Sequence, residues 1–315
     1  MSSADRPSDA EVQRFRRIFE RVHAAHPRCL TDEWLSEPCR LADGTVAPRP
    51  IVWSRRNGPW HRHSVLWIGA APGNAGGKGA GALGAHGTRI PFGGDIGGAN
   101  FDVLLSTIGL DRNQTFVAAA LNQLPARGGG EPSPAELLAP VGDYPSSLHL
   151  LRDTIIAVGP RLLIALGNVA LRATVAAARL DPSAPPRLPS LDRLARAGLS
   201  RGRPSPWPAA EPPGPDFLDG WEAAWPGEPL PVLLWLTHPS AQNMSPFARV
   251  GTAFHTRMLE AQAALRLAAR ECLGRDAPAV RPPFPTAGIY ALPEWRDLVA
   301  PRHTQLDRLW REKGV

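Results

Sequence analysis

Apolar residues along this chain fall into two patterns, and their alternation predicts a fold. Short, almost wholly apolar runs occupy 65–68 (Val-Leu-Trp-Ile), 115–121 (Thr-Phe-Val-Ala-Ala-Ala-Leu), 161–166 (Arg-Leu-Leu-Ile-Ala-Leu) and 231–236 (Pro-Val-Leu-Leu-Trp-Leu). A strand with no polar face is covered on both sides, as in a parallel sheet between helices. Between these runs the spacing becomes helical. At 8–25, Val12, Phe15, Ile18, Phe19 and Val22 recur behind Asp9 and Glu11, and the arginines of that segment (14, 16, 17 and 21) are expected on its solvated face. Further helices are expected at 100–109, closed by Gly109, and at 148–158, 168–179 and 252–273. Strand–helix alternation predicts an α/β fold: a three-layer α/β/α arrangement around a central, mostly parallel four-stranded sheet. Ligands of such sheets bind beyond the carboxyl ends of the strands. Here those ends carry Gly69 to Asn74, Asn122, Gly167 and His238, which together mark one cleft.

Composition shifts divide the chain. Residues 1–61 hold the first helix and an irregular lead-in rich in Trp, Arg and Pro. Residues 62–273 hold the strand–helix body, interrupted at 181–231 by a proline-rich insertion with Trp207, Trp221 and Trp225. Residues 274–315 form a tail whose Trp295, Leu298 and Trp310 are expected to dock on the body.

The 315 residues are 43% hydrophobic, ample for one enzyme-sized core, and the net charge of +6 favours a polyanionic partner. Three cysteines, Cys29, Cys39 and Cys272, fall in no metal-ligand spacing and read as free thiols of a reducing compartment. The polar N-terminus lacks the apolar core of a signal peptide, and no segment approaches a membrane span. A cytoplasmic protein is expected.

The first strand runs into Gly69-Ala-Ala-Pro72-Gly73-Asn74 and a loop almost free of bulky side chains, ending in Ile90-Pro-Phe92-Gly-Gly-Asp95. Glycines after a strand invite a nucleotide reading, which fails on spacing. Gly79-Ala-Gly81-Ala-Leu-Gly84 matches G-x-G-x-x-G but begins about ten residues past the strand, too far to set a pyrophosphate on a helix N-terminus. Gly73 to Lys78 is one residue short of a P-loop, and no Ser or Thr follows the lysine. No nucleotide cofactor is expected.

Taken together, Gly69-Ala-Ala-Pro72-Gly73 after the first strand, Asn122 at the end of the second and His238-Pro239-Ser240-Ala241-Gln242-Asn243 after the last resemble the motifs of the uracil-DNA glycosylase superfamily. The run Gly84-Ala-His-Gly87-Thr-Arg-Ile-Pro-Phe92-Gly-Gly-Asp95 is similar to the thermophile-type branch, whose loop ends in Pro-Phe-x-Gly-Asp. The resemblance spans roughly 62–260 with the motifs in order.

It implies DNA as the partner, with a target nucleotide flipped into a pocket. Phe92 becomes the stacking face, and Asn122 the reader of the base edge, suited to uracil or, with its amide turned over, cytosine. His238 becomes the donor to O2 of the leaving base, aided by backbone N–H groups around Ala70, Ala71 and Gly73. The best-known branch has an aspartate where this chain has Ala71, so the water-activating carboxylate passes to Asp95, with Asn74 helping to hold the water. That branch also places a tyrosine after the motif proline to exclude C5 substituents; Gly73 stands here, which opens the pocket. Four cysteines hold an iron–sulfur cluster in the thermophile-type branch, and three cannot, so no cofactor is expected. Ser240, Gln242, Asn243, Met244 and Arg249 are the expected DNA contacts, with Met244 or Phe247 as the apolar wedge and Arg257 as a further phosphate contact. The implied activity is a monofunctional DNA glycosylase that releases uracil or a C5-modified pyrimidine. One alternative is an antiviral enzyme excising hydroxymethylated or glucosylated cytosine from phage DNA. The other is a catalytically silent DNA-binding member.

Overall fold

A computed structural model describes residues 8–23, 39–40, 46–47, 64–71, 92–93, 96–121, 131–207, 212–240, 242–245, 248–274, 286, 288–291, 295–301, 304, 308 and 312. In chain order these give α1 (Asp9–His23), a two-residue hairpin β1 (Cys39–Arg40) and β2 (Val46–Ala47), β3 (Val65–Gly69), α2 (Ile96–Thr107), β4 (Phe116–Ala119), α3 (Pro134–Leu138), α4 (Ser147–Val158), β5 (Leu162–Leu166), α5 (Asn168–Ala178), α6 (Leu191–Arg196), β6 (Pro204–Pro206), α7 (Pro215–Ala224), β7 (Val232–Leu236) and α8 (Ala253–Ala268).

The main sheet has the order β4-β3-β5-β7-β6. β3 pairs in parallel with β4 and β5, and β5 with β7, whereas β6 pairs antiparallel with β7. The three-layer α/β/α arrangement is therefore present, with five strands where the hydrophobic runs announce four. The fifth comes from the proline-rich insertion. Pro204-Ser-Pro206 is tolerated because it lies at an edge, where a missing N–H leaves no ladder bond unmade. The insertion also supplies α6, capped by the Ser190 hydroxyl, and α7, opened by Pro215.

Every residue of β3 and β5 is buried, as their unbroken apolar runs require. Leu66, Ile68, Leu163 and Ala165 point into one core shared with α1, α4, α5 and α7. Val65, Trp67, Leu162 and Ile164 point into the other, beneath α2 and α8. The helix α1 lies against α4, with Phe15 stacked on Phe116 at 5.8 Å. Two of its arginines leave the solvated face expected of them. Arg14 lies over the Trp225 ring at 4.4 Å, and Arg21 lies over Tyr144 at 3.7 Å while bridging Asp153 at 3.1 Å. Burial lowers the Arg14 pKa, which marks it as a packing group. From the tail, Tyr290 and Trp295 are buried and meet edge-to-face at 4.7 Å. No helix among the described residues is long and apolar enough to cross a membrane.

Candidate active site

Chain order runs outward in opposite directions from β3 and β5, so the sheet switches direction between them and leaves a crevice at their carboxyl ends. Past the end of β3, Ala120 N–H donates to the Gly69 carbonyl at 2.8 Å and Leu121 N–H to the Ala70 carbonyl at 3.0 Å. These two bonds carry the second strand alongside the first motif. Ala70 and Ala71 are half-buried at the mouth of the crevice. Across it, His238 follows β7 by two residues, and a Cβ on Gly167 would stand 3.5 Å from the histidine Cβ. Glycine there, at φ +93°, provides the left-handed turn into α5.

Phe92 forms the floor. Its ring stacks on Phe101 of α2 with centroids 4.7 Å apart and planes 21° from parallel, and its centroid lies 5.8 Å from that of His238. Trp67 supports Phe101 from below, edge-on at 5.1 Å. At Gly69 a Cβ would stand 3.4 Å from Phe92 Cζ, so the strand end is kept free of side chain where the ring passes. Phe92 also holds φ +52°, the left-handed region, alone among the described non-glycine residues. That conformation costs roughly 1–2 kcal/mol and marks a residue held in place by its surroundings.

Polar groups on α2 fix the two sides of the pocket. Asn100 is fully buried, and its Nδ2 donates to the carbonyls of Pro239 and Met244, both at 2.8 Å. The loop after His238 is thereby tied to the helix that carries Phe101. Ser240 starts a tight turn in that loop: its carbonyl accepts from Asn243 and Met244 N–H, and its hydroxyl accepts from Asn243 Nδ2 at 2.9 Å. One residue past Phe101, Asp102 pairs with Arg112, which follows the helix and donates to the Phe92 carbonyl at 2.8 Å. Neither Asn100 nor Arg112 stands out in the sequence. Asn100 lies inside an apolar helix, and its partners are 139 and 144 residues away.

The structure thus brings Phe92 and His238 together, with Ala70 and Ala71 directly following the strand end that meets Phe92. Asn74, Gly73, Asp95, Asn122 and Phe247 lie outside the described residues. Gln242 and Arg249 are exposed beside the pocket, whereas Ser240 and Asn243 are half-buried and engaged in their own turn. Arg257 donates to the Asn243 carbonyl at 3.1 Å, so it braces the loop. Met244 is corrected as a DNA contact and wedge. Its side chain is 0% exposed and sits in the core with Leu236 and Met258, because the two Asn100 bonds draw the chain back under α2. Among the described residues of the loop, Val250, 73% exposed between Arg249 and Gly251, is an apolar side chain presented to solvent.

An aromatic ring pair, a histidine 5.8 Å from it and backbone turns at the ends of parallel strands are the features that meet at the switch point of the sheet. The family model of the uracil DNA glycosylase superfamily matches residues 57–264, and the chain belongs to that superfamily. The family's activity is DNA glycosylation, a hydrolysis on DNA that serves base excision repair. Comparison with the curated proteins gives no match.

Proposed function

We propose that this chain is a monofunctional DNA glycosylase that hydrolyses the N-glycosidic bond of a flipped pyrimidine, uracil or a C5-modified base, leaving an abasic site. The observation that carries the reading is the Phe92 ring, held at φ +52° on Phe101 with its centroid 5.8 Å from His238. A flat base laid along that shelf brings its carbonyl edge toward the imidazole. Base–aromatic stacking of this kind contributes about 1–3 kcal/mol, which offsets part of the few kcal/mol spent on flipping.

In the proposed reaction the C1′–N1 bond breaks with its electron pair going to the base, and His238 donates a hydrogen bond to O2 where the charge develops. A donor so placed contributes roughly 3–4 kcal/mol. Water attacks C1′ and gives its proton to Asp95, whose carboxylate also favours the oxocarbenium-like sugar. Asn74 holds the water, and Asn122 reads the base edge. Backbone N–H groups around Ala70, Ala71 and Gly73 complete the wall. Arg249 meets phosphate, Ser240, Gln242 and Asn243 line the strand path, and Phe247 or the exposed Val250 takes the wedge position in place of Met244.

A second reading, removal of hydroxymethylated or glucosylated cytosine from viral DNA, draws on Gly73, which leaves the C5 side of the pocket without a blocking ring. Both readings are tested on single- and double-stranded oligonucleotides carrying uracil, 5-hydroxymethyluracil, hypoxanthine or glucosylated hydroxymethylcytosine, with alkali cleavage of abasic sites. Strand breaks at uracil or 5-hydroxymethyluracil are expected. Breaks confined to the glucosylated base select the antiviral reading, and binding without breaks on any substrate identifies a silent DNA-binding member.

A further inference from the structure

Phe92 serves as a stacking face only if its ring keeps one orientation in a backbone conformation that phenylalanine disfavours. Among the described residues, the Arg112 side chain reaches the backbone of Phe92. A terminal guanidinium nitrogen of Arg112 donates to the Phe92 carbonyl at 2.8 Å, while its Nε pairs with Asp102 at 2.6 Å. The same terminal nitrogen lies 3.4 Å from the Gly98 carbonyl, near the start of α2. Both side chains of the pair are almost fully buried. The guanidinium also sits against the rings of Phe101 and Trp295, at 5.1 and 5.2 Å from their centroids. Behind it, Arg112 N–H donates to the Tyr290 hydroxyl at 2.9 Å.

A buried ion pair is not in general a source of stability, since its desolvation offsets its attraction, and apolar replacements often serve as well. What the guanidinium does here, and an ammonium cannot, is to hold two directions at once with a planar set of donors: the Asp102 carboxylate on α2 and the Phe92 carbonyl on the loop. Phe101 between them carries the ring that Phe92 stacks on. Tyr290 and Trp295 close the remaining sides from a segment nearly 180 residues further along the chain.

We propose that Arg112 is the positioning residue of the base-stacking shelf, oriented by Asp102, and that the Tyr290–Trp295 segment locks it from behind. The C-terminal segment thereby becomes part of the active-site apparatus without touching the base. The proposal rests on the reading of Phe92 as the stacking face.

The test is a double-mutant cycle joined to a structural readout. Arg112→Lys, Tyr290→Phe, Phe92→Ala and the pair Arg112→Lys with Phe92→Ala are compared by single-turnover excision from uracil-containing DNA and by affinity for undamaged duplex. Arg112→Lys is expected to slow excision about tenfold and Tyr290→Phe about threefold, with duplex affinity unchanged. In the Phe92→Ala background the lysine substitution adds no further loss. Multiplying losses in the double variant, or a wild-type rate in Arg112→Lys, overturns the proposal. If Arg112→Lys does not fold, Tyr290→Phe, which keeps the ion pair, carries the comparison, and a wild-type rate there is the overturning result. In the DNA-free protein, the aromatic NMR signals of Phe92 and His238 are expected to move in Arg112→Lys, and unmoved signals overturn the proposal. Moved signals in a protein that cuts no substrate uphold the positioning role and sink the glycosylase reading alone.

Discussion

Asn100 offers the sharpest test of how the pocket is assembled. Its amide is the tie between α2 and the loop after His238, with two hydrogen bonds at 2.8 Å in a fully buried setting. Truncation to alanine strands the carbonyls of Pro239 and Met244, each at a cost of roughly 1–3 kcal/mol. One gain offsets this: the buried Oδ1 of Asn100, which has no hydrogen-bond partner among the described residues, is removed with the amide. The net expectation is a loss of about 2–4 kcal/mol, or roughly 4–8 °C in Tm for a chain of this size. Because the loop follows His238 directly, excision is expected to fall at least about tenfold at temperatures where the variant is still folded, equivalent to about 1.4 kcal/mol of transition-state stabilisation.

Asn100→Asp adds a sign. The introduced carboxyl can donate to one carbonyl only while protonated, and ionised it faces two oxygens with no hydrogen to give. Its folded-state pKa is therefore raised above the ordinary aspartate value. A raised folded-state pKa gives stability that is present below the unfolded value and lost as pH rises through the folded one. The variant should approach wild type near pH 4 and fall behind toward pH 7, by about 1.4 kcal/mol for each pH unit until the folded-state pKa is reached. Chemical denaturation across that range, with single-turnover assays alongside, is the measurement. An alanine variant within 0.5 kcal/mol of wild type and of unchanged rate, or an aspartate variant with no pH trend, would refute the clamp.

Three further outcomes are expected. Gly159→Ala places a Cβ 2.3 Å from the Trp225 ring in a residue at φ +57°; left-handed strain and displacement of that indole should together cost about 3 kcal/mol by denaturant titration, with excision chemistry untouched in the folded fraction. Gly69→Val forces branches beyond the 3.4 Å contact with Phe92 and should slow excision more than it lowers Tm; equal stability and full activity would show that the ring is free to move aside. Burial, reinforced by Arg152, holds the His149 imidazole below its ordinary pKa, so its neutral form contributes stability that is lost on acidification through the histidine range. His149→Gln is expected to flatten the fall in stability between about pH 7 and 5, as read by denaturant titration at each pH.

Much of the fold was legible because burial on both faces forces a strand to be apolar throughout. The runs at β3, β5 and β7 announced their own positions, and Gly167 and His238 could be placed at strand ends without coordinates. The capping box of α3, in which Ser133 and Glu136 satisfy each other's backbone donors, was equally written in the chain, inside a stretch that its prolines and glycines make look like plain loop. β6 was hidden, because Pro-x-Pro argues against a strand unless one already knows that it lies at an edge.

The chemistry divides in the same way. The glycine motif after β3, the aromatic before Asp95 and the histidine after β7 could be singled out from the sequence through their resemblance to family motifs, because these are local features of strand ends. Only tertiary structure decided that Met244 is core and Val250 exposed, that Phe92 stands at positive φ on Phe101, and that Asn100 ties down the loop after His238 while Arg112 ties down the Phe92 backbone. Periodicity records which face of an element is dry. It carries no record of which buried donor meets which distant carbonyl, since a hydrogen bond between residues 139 positions apart leaves no pattern in either segment.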